Sequence, residues 1–240
     1  MCKKYQKIKI IMSYLNHVLK YFDLAKNYRT YQLDLIKNFI GNKILEIGPG
    51  NGEIIEHFIN DERKITLIDN DIEMCKVLNE KFKDQKNIKI LNSEINSINE
   101  KFNSILYMDV IEHIENDVEE LDRACNLLSE SGKLIIIVPA FNFLFSDFDR
   151  DVGHYRRYYK RDFINYTQTK KLKIISLKYF DSLGFLILSL SKFFKFKGRN
   201  NAVIGIKVWN LLMPLSRLID KLFFHQFGKS LICVIQKNAE

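Results

Sequence analysis

Apolar residues in this 240-residue chain fall into short unbroken runs separated by longer stretches with helical spacing. Runs at 43–47, 64–68, 87–91, 102–108 and 133–138 predict five strands, and uninterrupted apolar runs suit strands buried on both faces of a parallel sheet. Between them, residues 53–59, 72–82 and 121–128 read as helices, with Ser131-Gly132 as a turn before the fifth strand. Two more strands are expected at 173–179 and 230–236. Residues 183–196 are apolar and aromatic with interleaved lysines. Farther on, Val208, Leu211, Leu212, Leu215, Leu218, Ile219 and Leu222 follow the i, i+3, i+4 spacing of an amphipathic helix, broken or kinked at Pro214. These segments read as a helical insertion between the two strands of a terminal hairpin. Near the start, residues 28–40 predict another helix. The chain is long enough to bury a sizeable core as one α/β unit, and no internal repeat is evident.

The first strand exits into Gly48-Pro49-Gly50-Asn51-Gly52. Glycine tolerates φ > 0, so this stretch predicts a tight strand-to-helix turn that brings backbone N–H groups close to a ligand. A dinucleotide fingerprint, G-x-G-x-x-G, needs glycine at position 53, where Glu53 would set a carboxylate against a pyrophosphate. Asp69 ends the second strand 21 positions after Gly48. An acidic residue there, roughly 20 residues beyond the glycines, accepts hydrogen bonds from ribose hydroxyls. Either Asp69 or Asp71 would alternatively cap the following helix.

With Glu46 ahead of the glycines, the pattern E-x-G-x-G-x-G resembles motif I of the class I S-adenosylmethionine (SAM) dependent methyltransferases. The resemblance covers residues 43–237. It implies a Rossmann-like seven-stranded, mainly parallel sheet with an antiparallel last strand, helices on both faces and a helical insertion before that last strand. The implied cofactor is SAM, held by Glu46, Gly48, Gly50, Gly52, Asp69, Glu94, Ile95 and Asp109; Glu94 stands where the family usually has aspartate. Glu112-His113-Ile114, after the fourth strand, is similar to the Glu-His-Ile of small-molecule methyltransferases, which sets His113 beside the methyl donor. The helix at 28–40 would cover the cofactor, with Tyr28 or Arg29 touching it.

Gly153-His154-Tyr155-Arg156-Arg157-Tyr158 is similar to a Gly-His-x-Arg-Arg-Tyr segment in a methyltransferase subgroup associated with glycosyltransferases of cell-surface polysaccharide synthesis. It offers an imidazole, two guanidinium forks and phenols on a loop at the carboxyl edge of the sheet, a composition suited to an anionic, hydroxyl-bearing acceptor. On this reading His154 takes the hydroxyl proton, with His113 as second choice. Arg156 and Arg157 position the acceptor, and Tyr158 packs or hydrogen-bonds against it. A carboxylate acceptor would need positioning but no base. The plainer alternative is a salt-bridged loop in which Asp147, Asp149 and Asp151 pair with Arg150, Arg156 and Arg157.

The net charge of +8 is unevenly spread: residues 1–150 carry net −4, and residues 151–240, with 17 basic and 5 acidic side chains, carry net +12. That surplus, together with Lys192, Lys195, Lys197 and Arg199 among apolar helices, suggests peripheral contact with an anionic membrane face or a lipid-linked saccharide. Basic charge alone is weak evidence for nucleic acid, and the fourth-strand exit lacks the Asn/Asp-Pro-Pro-Tyr/Phe motif of base methylation, so no nucleic-acid partner is expected. Cys2, Cys75, Cys125 and Cys233 lie far apart with no zinc-ligand spacing, so no metal site or disulfide framework is indicated and a reducing cytoplasm is the simplest home. No run reaches the roughly 18 apolar residues that span a bilayer. The organisation expected is an N-terminal helical segment (1–42), a SAM-binding core (43–180), and an insertion with terminal strand (181–240) completing the same domain. Two other functions fit part of the pattern: a non-catalytic SAM-binding partner of a glycosyltransferase, and a nicotinamide oxidoreductase, which Glu53 and the lack of a Tyr-x-x-x-Lys pair disfavour.

Overall fold

The structure, a computed structural model, describes residues 24–60, 62–168, 170, 172–193 and 202–238. Seven strands form one sheet: β1 (Lys43–Ile47), β2 (Lys64–Asp69), β3 (Ile88–Asn92), β4 (Phe102–Met108), β5 (Leu128–Pro139), β6 (Leu172–Phe180) and β7 (Ser230–Lys237), in the order β3-β2-β1-β4-β5-β7-β6. The first five pair in parallel, and β7 runs antiparallel between β5 and β6. After β1 the chain steps outward to β3 and then crosses back to lay β4 on the other side of β1. Such a reversal opens a crevice at the carboxyl ends of the two strands, where open α/β sheets hold their ligands.

Alternation along the central strands feeds two cores. Leu45, Ile105, Tyr107, Leu134 and Ile136 face one side with Leu121 and Ala124 of α4 (Asp117–Asn126) and Phe163 of α6 (Lys160–Gln168). Ile44, Leu106, Ile135 and Ile137 face the other, with Tyr28 and Tyr31 of α1 (Lys26–Ile36), Ile54 and Ile55 of α2 (Glu53–Glu56) and Leu78 of α3 (Ile72–Lys81). Burial on both faces is why these strands read as unbroken apolar runs.

Several boundaries differ from the sequence expectation. The helix after the glycine turn spans four residues, and α4 begins at Asp117 rather than Leu121. Ser131-Gly132 lies inside β5, where Ser131 takes φ 57° and the pairing with β4 shifts register, so the expected turn is an irregularity in a longer strand. The 145–158 loop contains a short helix, α5 (Asp147–Asp151), held by a capping box between Ser146 and Asp149. Pro214 separates α8 (Ala202–Leu211) from α9 (Met213–Leu222), sitting in the first turn of α9, where its missing N–H is tolerated.

Two buried aspartates tie the insertion, which begins with α7 (Ser182–Phe193), to the domain. Asp220 of α9 accepts hydrogen bonds from the Tyr31 hydroxyl (2.8 Å) and from the Asp181 and Ser182 amides (2.8 and 2.9 Å). Asp181 accepts from Gly184 N (2.9 Å), Trp209 Nε1 (2.8 Å) and Ser216 Oγ (3.1 Å). Among the described residues no helix is long and apolar enough to cross a membrane. Lys195, Lys197 and Arg199 lie outside the described residues, as does the 1–42 segment up to residue 23.

Candidate active site

The glycine turn is left-handed at all three glycines, with φ of 60°, 53° and 71° at Gly48, Gly50 and Gly52. Not all of its amides face a ligand: Gly48 N donates to Ile68 O (3.0 Å) and Gly52 N to Pro49 O (2.9 Å). Gly52 lines neither of the two cavities at this edge of the sheet. A Cβ there would stand 2.6 Å from the Phe82 ring, so Gly52 is a packing position that caps α2 rather than a cofactor contact.

The two cavities meet at Gly48, Gly50, Asp109 and His113. The larger, about 770 Å³, runs along the ends of β1, β2 and β3 past Asp69, Glu94 and Ile95. Burial raises the Asp69 carboxyl, partly offset by the Asp71 amide, which donates to its Oδ1 at 2.8 Å. Asp71 itself caps α3 through Glu73 N (2.9 Å). Asp109 sits at φ 58° at the junction, where Gln32 Nε2 of α1 donates to it (3.1 Å).

The smaller cavity, about 360 Å³, is walled by the ends of β1 and β4, by α1 and α5, and by the start of β7. Tyr28 and Arg29 line it, as does Glu46, which is 1% exposed and whose Oε2 has no hydrogen-bond partner. Burial pushes the Glu46 carboxyl up to about 8 against the opposing charge of Arg29. A buried carboxyl with an unpartnered oxygen beside the glycine turn, which a bound cation would draw into its ionised form, fits a cationic ligand group such as the α-ammonium of SAM.

His154 enters the same cavity. Its Nδ1 lies 2.9 Å from Oδ1 of the fully buried Asp149. Burial pushes the Asp149 carboxyl up, but hydrogen bonds from His154 and Arg157 and the Arg157 charge outweigh it and hold the group well below the usual range. An ionised Asp149 fixes the His154 tautomer with a proton on Nδ1. His113 packs edge-on against His154 with ring centroids 4.5 Å apart. Burial, with the neighbouring imidazole, lowers the His113 pKa to about 4, which keeps the ring neutral.

Of the three residues expected to bind the acceptor, Arg157 alone lines a cavity, and all three are engaged within the protein. Arg157 sets its fork on Asp149, Nε to Oδ1 at 2.9 Å and Nη2 to Oδ2 at 3.0 Å, so its bidentate capacity is spent internally. Arg156 turns away to Asp117 (2.5 Å) and the Glu115 carbonyl (2.6 Å). Tyr158 is buried against Phe163 and donates to Asp117 Oδ2 at 2.7 Å. Neither Arg156 nor Tyr158 lines either cavity. Together the three brace the loop that presents His154.

Two lining residues have no role assigned from the sequence: one lies outside every motif and the other sits within the Glu-His-Ile segment. Lys229, just ahead of β7, reaches the cavity with its ammonium 3.3 Å from Asp181 Oδ2, and burial lowers its pKa. Because β7 is antiparallel, Ser230 pairs with Pro139 at the carboxyl edge of β5, so residues entering β7 arrive at the site. The other is Glu112, 1% exposed, with neither carboxylate oxygen hydrogen-bonded. Burial and the nearby Asp109 charge raise it well above the ordinary carboxyl range.

Residues 20–181 match the model of a family described as a methyltransferase domain. The chain belongs to the class I SAM-dependent methyltransferase family. No curated protein matches the sequence of this methyltransferase. Among solved structures, it is similar to the plantazolicin methyltransferase BamL in complex with a triazolic desmethylPZN analog and S-adenosylhomocysteine (SAH), at TM-score 0.60 and 16% identity over 97% of this chain and 91% of that one. The N-methyltransferase NodS from Bradyrhizobium japonicum WM9 superposes with TM-score 0.57 and 15% identity over 91% and 98% of the two chains. The [4+2]-cyclase SpnF shares the fold at TM-score 0.59 and 12% identity over 88% and 81%. At such identities the likeness is one of fold, and the acceptor chemistry of the methyltransferase has to be read from its site.

Proposed function

We propose that this methyltransferase transfers the SAM methyl group to a hydroxyl of a small anionic acceptor, a saccharide or lipid-linked saccharide of cell-surface polysaccharide synthesis. The observation that carries the proposal is the junction of two cavities at Gly48, Gly50, Asp109 and His113, with the Asp149–His154 pair facing the smaller one. In the larger cavity Asp69 takes the ribose hydroxyls, and Glu94 and Ile95 flank the adenine; Glu46 takes the ammonium from the smaller one. SAM supplies an electrophilic methyl group on a sulfonium centre. The acceptor occupies the smaller cavity, where Lys229, a cavity-lining ammonium that also pairs with Asp181, meets its negative charge and His154, aimed by Asp149, takes the hydroxyl proton on Nε2. Holding the nucleophile in line contributes up to about 7–11 kcal/mol, against roughly a hundred- to ten-thousandfold in rate from one general base, so alignment dominates.

A lipid-linked acceptor is favoured by the outer surface of the insertion. Leu190, Leu211 and Phe224 are 57%, 74% and 80% exposed, and the exposed Lys207 and Lys221 lie on α8 and α9. Apolar side chains interleaved with basic ones suit an anionic membrane surface, where each nearby Lys or Arg contributes about 1 kcal/mol. Calorimetric titration with SAM and SAH, followed by mass spectrometry of lipid-linked sugars with and without the protein, tests the proposal. Asp69→Ala weakens SAH binding about tenfold or more by removing charge-assisted hydrogen bonds worth about 1.5–3 kcal/mol each. His154→Ala lowers turnover while leaving SAH affinity near wild type. Absence of SAM and SAH binding, with tight NADH binding, would refute the methyl-transfer function.

A further inference from the structure

We propose that Glu112, His113 and His154 form a binding site for a divalent first-row transition ion, with open coordination positions facing the acceptor cavity. Each residue offers one ligand atom, and these atoms all lie within 4.8 Å of one another; His154 Nε2 and Glu112 Oε1 are 3.9 Å apart. Ligands bonded to one ion at about 2.0–2.2 Å stand roughly 3–4 Å from each other, so small side-chain rotations complete the site. All three line the smaller cavity, which gives an ion a route in and leaves space for a further ligand.

Two independent features point to a cation. Glu112 is buried with both oxygens unpartnered, and a buried carboxylate lacking hydrogen bonds is costly unless it is protonated or meets a positive charge. Among the described residues its ion-pairing neighbour within 4 Å is His154 rather than a lysine or arginine. The second feature is the support behind His154. Asp149 accepts its Nδ1–H at 2.9 Å and is fixed in turn by the Arg157 fork and by Ser146 Oγ at 2.8 Å. A carboxylate on the far nitrogen of a histidine orients the ring and raises its basicity as a metal ligand. The donor set decides the class of ion. Two imidazoles and one carboxylate favour zinc- or iron-like ions over magnesium or calcium, which prefer oxygen, and three protein ligands leave positions open.

What the ion would do rests on the methyl-transfer proposal. An acceptor hydroxyl oxygen on an open position would be held in place and acidified by the cation, its proton passing to solvent water as the methyl group is taken up and S-adenosylhomocysteine leaves, and His154 would then be a ligand rather than the base. Binding of the ion itself is independent of that proposal. The full chain, freed of metal with a chelator, should take up one equivalent of Zn2+ by calorimetry with micromolar or tighter affinity, and Co2+ should give visible d–d bands. Glu112→Gln, close to isosteric, and His154→Ala should each weaken Zn2+ binding at least tenfold, while His57→Ala, at an exposed position, should leave it unchanged. Circular dichroism and an SAH titration on each variant report folding. No stoichiometric Zn2+ uptake, or uptake unaffected by Glu112→Gln and His154→Ala, overturns the site. SAH binding without Zn2+ binding would sink the ion site alone, whereas Zn2+ binding without SAH binding would support the site and sink the methyl-transfer proposal.

Discussion

Replacing Glu46 with glutamine separates stability from cofactor binding. Burial raises this carboxyl from 4.5 to about 8, with Arg29 of α1 opposing the shift; Asp109, Glu112 and Lys229 line the same cavity. The unfolded chain releases the Glu46 proton near 4.5, whereas the folded protein keeps it to about 8. Between those values the folded state binds more protons, so stability is fully present below the lower pKa and declines as pH rises toward the upper one. At about 1.4 kcal/mol per unit, the loss between pH 4.5 and 7 is about 3 kcal/mol. Glutamine keeps the shape and does not titrate. Urea unfolding at pH 7 should therefore find Glu46→Gln more stable than wild type by about 2–3 kcal/mol, with the difference vanishing near pH 4.5. SAH affinity should fall about ten- to 150-fold, the equivalent of a charge-assisted hydrogen bond worth about 1.5–3 kcal/mol. Equal or lower stability at pH 7 would mean that Glu46 is ionised and paired in the folded protein. Unchanged SAH affinity would remove it from the cofactor site.

Arg157→Lys loses the fork on buried Asp149 and should cost about 2 kcal/mol in urea unfolding, since an ammonium cannot reproduce two parallel hydrogen bonds; a neutral result would show that the loop does not depend on the pair. Gly52→Ala combines φ 71° with a Cβ 2.6 Å from Phe82 and should lower stability by about 1–3 kcal/mol on thermal melting, while the folded protein binds SAH normally because the residue lines neither cavity. Leu211→Asp combined with Phe224→Asp should abolish co-sedimentation with anionic vesicles without loss of SAH binding, and wild-type failure to bind such vesicles at low salt would count against the membrane contact.

The sheet and its glycine turn were legible in the sequence because their determinants are local. An unbroken apolar run fits a strand covered on both sides, and Gly48 and Gly50 adopt left-handed backbone angles that few other residues accept. Asp69 and Glu94, at or just past strand ends, were legible for the same reason: strand length alone puts them at the carboxyl edge. Tertiary structure decided which charged groups remain available to a ligand. Arg156 and Arg157 look like acceptor clamps in the linear sequence, but Asp117 and Asp149 consume their donors in the folded protein. Lys229 belongs to no motif, yet antiparallel β7 delivers it to the edge where the parallel strands end. Glu112 reads as half of a Glu-His pair, and only packing strips its oxygens of partners and sets them beside His154, 42 positions along the chain. Backbone preference and strand burial act over a few neighbouring residues, whereas the pairing of charges is settled by distances that exist only once the chain has closed on itself.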